Sequence, residues 1–187
     1  MHMTIAILGW GSLISNTGGL SVEMNKWYND GPVLPIEFAR VSNNGRLTLV
    51  IYPSGKPVKT YYAVSTLPEL NSAIENLAKR EGTERWPENI GYMNFITSEL
   101  KSRILTEPMK QSFQDWNKNK CFDAIIWTDL QDNFQAKTKQ PFSLNSSIEY
   151  LKSLKGDQFR EAKEYILTAP EQTVTNNRPG LTSFLEN

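Results

Sequence analysis

Ile5-Ala6-Ile7-Leu8-Gly9-Trp10-Gly11-Ser12-Leu13 carries four apolar residues straight into two glycines one residue apart. A short continuous apolar run bounded by turn signals reads as a buried strand. Residues 4–8 are therefore expected to form the first strand, ended by the glycines at 9 and 11. Glycine also lets the backbone approach a ligand with no Cβ in the way. A turn of this kind leaves the N–H groups of residues 11–13 available to hold a carboxylate or a developing oxyanion.

Working outward, residues 15–34 read as a long loop rich in Gly, Asn and Pro, with a short helix around 22–27. Residues 36–41 and 47–51 flank Asn43-Asn44-Gly45, and Asn-Gly between apolar runs is the strongest short hairpin signal. A further strand is expected over 59–64. Thr66 with Glu69 three residues on matches a capping box, with Pro68 in the first turn. The helix that follows sets Leu67, Leu70, Ile74 and Leu77 on one face and stops at Gly82. Glu81 follows Leu77 by four and so falls on or beside that inward face, an odd place for a carboxylate unless it is paired or used. Arg80, its neighbour, points about a third of a turn away and need not neutralise it.

Residues 91–97 and 124–128 read as two more strands around a polar helix at 108–118. Helices follow at 146–154 and 157–169. The second turns Phe159, Ala162, Ile166 and Ala169 inward and ends at Pro170, and residues 173–187 form a polar strap or fray. Strands dominate the first part and helices the end, which argues for an α+β fold. The whole chain, 1–187, reads as one domain, with 143–187 a helical C-terminal extension of it.

Composition narrows the chemistry. Lys plus Arg equals Asp plus Glu at 20 each, so no global charge recruits nucleic acid or a membrane surface. The apolar opening is too short to span a bilayer and lacks a signal peptide's basic start and cleavage site, so a cytoplasmic location is expected. Cys121 and His2 are the lone residues of their kinds. A disulfide within the chain, a Ser-His-Asp triad, a Cys-His pair and histidine-rich zinc sites are all disfavoured. Proton transfer then falls to Glu, Asp, Lys or Tyr. Cys121 itself reads as a small residue entering the strand at 124–128.

The Gly-Trp-Gly-Ser-Leu turn after a first strand resembles the Tyr-Gly-Ser-Leu signature of the γ-glutamylcyclotransferase-like family. The later order is similar: an Asn-Gly hairpin, a strand with Tyr61-Tyr62, then Leu77-Ala78-Lys79-Arg80-Glu81-Gly82, close to the family's Leu-Asp-x-x-Glu-Gly, and a strand carrying Tyr92. The resemblance covers roughly the first half of the chain. It implies a small mixed β-barrel flanked by helices, with a pocket at one end. It implies Glu81 as the catalytic residue, and Trp10, Gly11, Ser12, Leu13 and Tyr92 as substrate-binding residues. No metal or cofactor is called for, and the partner is a small γ-glutamyl compound from which 5-oxoproline is released. Trp10 stands where the family has tyrosine, removing a hydroxyl and enlarging one wall, and Ala78 stands at the motif's aspartate.

Those residue types suit such a reaction. Holding amine and carbonyl in near-attack geometry contributes on the order of 7–11 kcal/mol in ideal intramolecular cases. A partly buried carboxylate gains basicity toward an ammonium group. Other readings stay open on the same residues. Gly-x-Gly-Ser alone is a tight turn, and Glu81 alone a solvated helix-end charge. Arg40 and Arg46 flank the hairpin as surface charges or as partners of a substrate carboxylate. Trp127 and Asp129 line a pocket mouth, or are respectively core and turn. A γ-glutamylamine acyl transferase or amidase, and a binding domain without turnover, are the alternatives to a cyclotransferase. Five tryptophans and the interrupted loop are compatible with a homodimer without requiring one.

Overall fold

The computed structural model describes residues 2–82 and 88–187. Among them lie eight strands: β1 Ile5–Gly9, β2 Val33–Val41, β3 Leu47–Ile51, β4 Lys56–Lys59, β5 Tyr61–Val64, β6 Ile90–Asn94, β7 Leu100–Lys101 and β8 Ala124–Thr128. The α-helices are α1 Ser12–Ser15, α2 Leu70–Arg80, α3 Glu107–Asn117, α4 Phe134–Thr138, α5 Leu144–Ser153, α6 Gly156–Leu167 and α7 Arg178–Glu186, and Glu23–Asn25 makes a single 3-10 turn. No helix among the described residues is long and apolar enough to cross a membrane.

The α+β class stands, but the barrel does not. The strands form two sheets, one ordered β5-β1-β8-β6-β7 and one ordered β3-β2-β4. β1 and β8 pair in parallel at the centre of the first sheet, and the other ladders are antiparallel. The expected strand at 59–64 is really β4 and β5, which belong to different sheets. Thr60 is the corner between them. Its N–H and its hydroxyl both donate to Pro32 O, at 3.1 and 2.7 Å, so this residue leaves the ladder. The chain turns from sheet to sheet there, and among the described residues no ladder closes the two into a barrel.

Alternation along the central strands builds two apolar layers from one sequence run. Ile5 and Ile7, with Ala124 and Ile126 of β8, face Ile74 and Leu77 of α2. Ala6 and Leu8, with Ile125 and Trp127, face the second sheet and the C-terminal helices. Strands covered on both sides read as continuous apolar runs, as these do. Each fully buried aliphatic side chain here contributes about 1.5–3 kcal/mol, against about 0–1 for an exposed pair such as Lys152–Glu149, so the central strand pair holds the layers together. Gly91 is needed beside this core, because a Cβ there would lie 2.3 Å from Trp127 Cε2.

The Asn-Gly hairpin forms as expected, with Gly45 at φ +85° and Ser42 N–H donating to Arg46 O at 2.9 Å. A bulge between Glu37 and Arg40 shifts the β2–β3 register by one residue. At α2 the capping box does not form. The helix starts at Leu70, one residue after Glu69, and carries no side-chain cap. Residues 173–187 do not fray. Buried Glu37 accepts the Thr175 hydroxyl at 2.6 Å and Asn177 N–H at 3.1 Å, and α7 follows. Cys121 is exposed at φ +58°, in the turn after α3, and enters no strand.

Candidate active site

The loop after β1 is held from three sides. Trp10 is buried and its Nε1 donates to Leu49 O at 3.4 Å. Its carbonyl accepts the Thr173 hydroxyl at 3.0 Å. Gly11 lies against Tyr165, whose Oη accepts the Leu49 N–H at 3.3 Å and leaves its own proton for another acceptor. Burial first, then the Glu81 charge, pushes the Tyr165 hydroxyl up to about 12, so it remains a donor at neutral pH. Beyond Gly11 the chain enters α1 at Ser12, and the first N–H groups of a helical turn have no partner within it.

Glu81 caps the C-terminus of α2, its N–H donating to Leu77 O at 3.0 Å, and Gly82 takes the left-handed conformation after it at φ +60°. Its carboxylate meets Arg80 Nη1 at 2.8 Å, with the two side chains only 18% and 13% exposed. Helical spacing leaves open whether Arg80 neutralises Glu81, and the structure pairs the two. At the helix end the arginine side chain reaches back over its neighbour. Arg80 Nη2 also donates to Ser12 O and Asn16 O, tying the end of α2 to the loop. Burial raises the Glu81 carboxyl above the usual carboxylate range, and the Arg80 charge and hydrogen bond oppose that rise without cancelling it.

Trp10, Gly11, Ser12, Leu13 and Glu81 all line one cleft of about 470 Å³. Tyr92 is not among its lining residues. It lies mid-strand in β6, opposite Ile126, and packs on the α2 side of the sheet. Its hydroxyl donates to Glu99, and that bond, with burial, pushes it up to about 12. Trp127 is wholly buried and donates to Asp129 Oδ1 at 3.0 Å. Asp129 also accepts the Ser102 hydroxyl at 2.9 Å and the Arg103 N–H at 2.5 Å, so this pair braces a turn.

Arg40, Arg46, Thr128 and Tyr165 are among the other residues that line the cleft. Arg40 and Arg46 line it, beside the bulge and the hairpin. Arg40 Nη1 donates to Gln131 O at 2.6 Å, and burial, then Arg103, lowers its pKa. Arg46 donates to Asn44 Oδ1 at 3.2 Å and stands 5.6 Å from the Tyr165 ring centre. Thr128 lines the cleft with a buried hydroxyl that has no hydrogen-bond partner among the described residues. Arg40 and Arg46 are legible in the sequence as charges flanking the hairpin, and Tyr165 shares the inward stripe of Ala162, Ile166 and Ala169 at helical spacing.

Comparison with protein-family models, with curated proteins and with solved structures finds no match. The chemistry therefore rests on the geometry. A partly buried carboxylate, a turn rich in N–H donors, a phenol and three guanidinium groups share one concave space. Such a space suits a small anionic molecule and offers one base to work on it. Among the described residues no three His, Cys, Asp or Glu groups stand close enough to hold a metal ion.

Proposed function

We propose that this protein is a γ-glutamylcyclotransferase-like enzyme that releases 5-oxoproline from a γ-glutamyl amine or peptide. The observation that carries the reading is convergence. Glu81 and the Trp10–Leu13 turn, far apart in sequence, line the same cleft, and Arg80 joins them directly.

In this reading Glu81 takes a proton from the substrate α-ammonium, and the freed amine attacks the γ-carbonyl carbon of the same molecule. The loop N–H groups and the Tyr165 hydroxyl receive the developing oxyanion, each well-placed donor worth about 10²–10³ in rate. Collapse breaks the γ-amide bond: the leaving nitrogen takes the first proton from Glu81, and the second proton of the attacking nitrogen follows through Glu81. The lactam forms with one N–H while the amine departs as an ammonium ion. No water is consumed, and neither metal nor organic cofactor is required. The raised Glu81 pKa brings the base closer to the ammonium it must deprotonate. Arg40 supplies charge for the substrate carboxylate. A cytoplasmic location and a small γ-glutamyl compound as substrate belong to the same proposal.

The Arg80–Glu81 ion pair favours a second reading, a binding domain of the same fold in which the carboxylate orders the loop and turns nothing over. Both are tested by assaying 5-oxoproline release from γ-glutamyl amines and dipeptides with wild type and Glu81→Gln. Product from wild type alone supports the cyclotransferase. Free glutamate in its place marks an amidase. Ligand-induced thermal protection in both proteins, with no product from either, supports the binding domain.

A further inference from the structure

A second hollow of about 570 Å³ adjoins the cleft, and Ser12, Arg46 and Arg80 line both. Its described charged residues are Arg46, Lys79 and Arg80, with no carboxylate among them. The polar groups of this hollow divide into spent and unspent. Arg80 is committed to Glu81, Ser12 O and Asn16 O. Asn76 is committed too, accepting Ser21 N–H at 2.8 Å and donating to Gly19 O at 3.0 Å. Arg46 uses only its Nε, on Asn44. Its two Nη groups and the Lys79 ammonium have no hydrogen-bond partner among the described residues. Like charges gathered in a concave, low-dielectric wall focus a field that draws anions.

We propose that this hollow is the subsite for the leaving amine, and that it accepts an amine bearing two negative charges, supplied by a dicarboxylic amino acid or by a phosphate ester. The role as leaving-group subsite rests on the cyclotransferase reading; the charge preference of the hollow does not. A γ-glutamyl group held by the loop and Glu81 has its amide bond at the shared wall of Ser12, Arg46 and Arg80. The leaving group then continues past Arg46 toward Lys79. Two unspent cations match two anionic charges, whereas an alkylamine leaves both cations without partners and a diamine is repelled.

N-glutaryl amides test this in the wild-type protein, because they lack the α-amine and cannot cyclise. Isothermal titration with N-glutaryl ethylamine, N-glutaryl alanine, N-glutaryl glutamate and N-glutaryl phosphoethanolamine samples zero, one and two charges on the amine. At low salt at least one dianionic probe is expected to bind roughly tenfold more tightly than the ethylamide, and to lose most of that margin at high salt. The tighter of the two dianions separates dicarboxylate from phosphate. Lys79→Glu, at an exposed position, and Arg46→Gln are each expected to cut the margin to threefold or less. Equal binding of all four probes, no binding by any, or a margin that survives both substitutions overturns the proposal. Release of 5-oxoproline from the parent γ-glutamyl compounds is scored separately. A charge preference without product removes the reaction and keeps the anionic subsite, and product without a preference does the reverse.

Discussion

The Tyr165 hydroxyl fills the space that a side chain at Gly11 would need: a Cβ built on Gly11 would lie 2.8 Å from Tyr165 Oη. The same oxygen accepts the Leu49 N–H. A helix near the C-terminus thereby sets the shape of a loop near the N-terminus. Gly11→Ala is expected to lower stability by about 1–3 kcal/mol through overpacking. Adding Tyr165→Phe removes the clashing oxygen, so the double variant is expected to recover part of the loss. Urea unfolding of the two single variants and the double variant measures the coupling, and strict additivity would show that the two groups do not meet.

Glu81 governs the pH response. Its carboxyl is raised, chiefly by burial, so the acid limb of kcat/KM is expected above the ordinary carboxylate range. Arg80 contributes only lowering influences, and Arg80→Met should therefore move that limb to still higher pH. The stability linkage has the same origin. A raised folded-state pKa means that the folded protein holds the proton more tightly. The contribution of Glu81 is complete below its unfolded pKa and is lost as pH rises through the raised value. Profiles of kcat/KM against pH for both proteins check the direction.

Thr128 separates a functional from a structural group. Its hydroxyl is buried in the cleft wall with no partner among the described residues, and removal of an unpaired buried polar group is neutral or stabilising. Thr128→Val is expected to hold or raise Tm and, if the hydroxyl meets substrate, to lower kcat/KM about tenfold, one hydrogen bond's worth. Differential scanning calorimetry with the 5-oxoproline assay reads both. A fall in Tm would place the hydroxyl in the fold and not in the site.

Glu37 anchors the C-terminal segment through Thr175 and Asn177. Glu37→Ala leaves a buried hydroxyl and an N–H without their acceptor, at about 1–3 kcal/mol for each group left unpaired. Amide hydrogen exchange should quicken first in α7, ahead of β1 and β8. Uniform acceleration throughout the protein would show that α7 unfolds only with the core.

The sequence by itself determined the elements whose signals are local. The apolar run at 5–8, the Asn44-Gly45 turn, the inward face of α2 with its stop at Gly82, and the paired helices before Pro170 all follow from chain chemistry within a few residues. The family resemblance points to the Trp10–Leu13 turn and to Glu81, and both line one cleft. Tertiary structure decided the rest, because periodicity reports that a face is buried without saying against what. Thr60 looks like any mid-strand residue, and only Pro32 across the corner makes it the point where the chain changes sheets. The family resemblance marks Tyr92 as a substrate-binding residue, yet it pairs mid-sheet and does not line the cleft. Tyr165, Arg40 and Arg46 enter the cleft because α6, the β2 bulge and the hairpin pack over the loop after β1. Long-range packing alone could place them there.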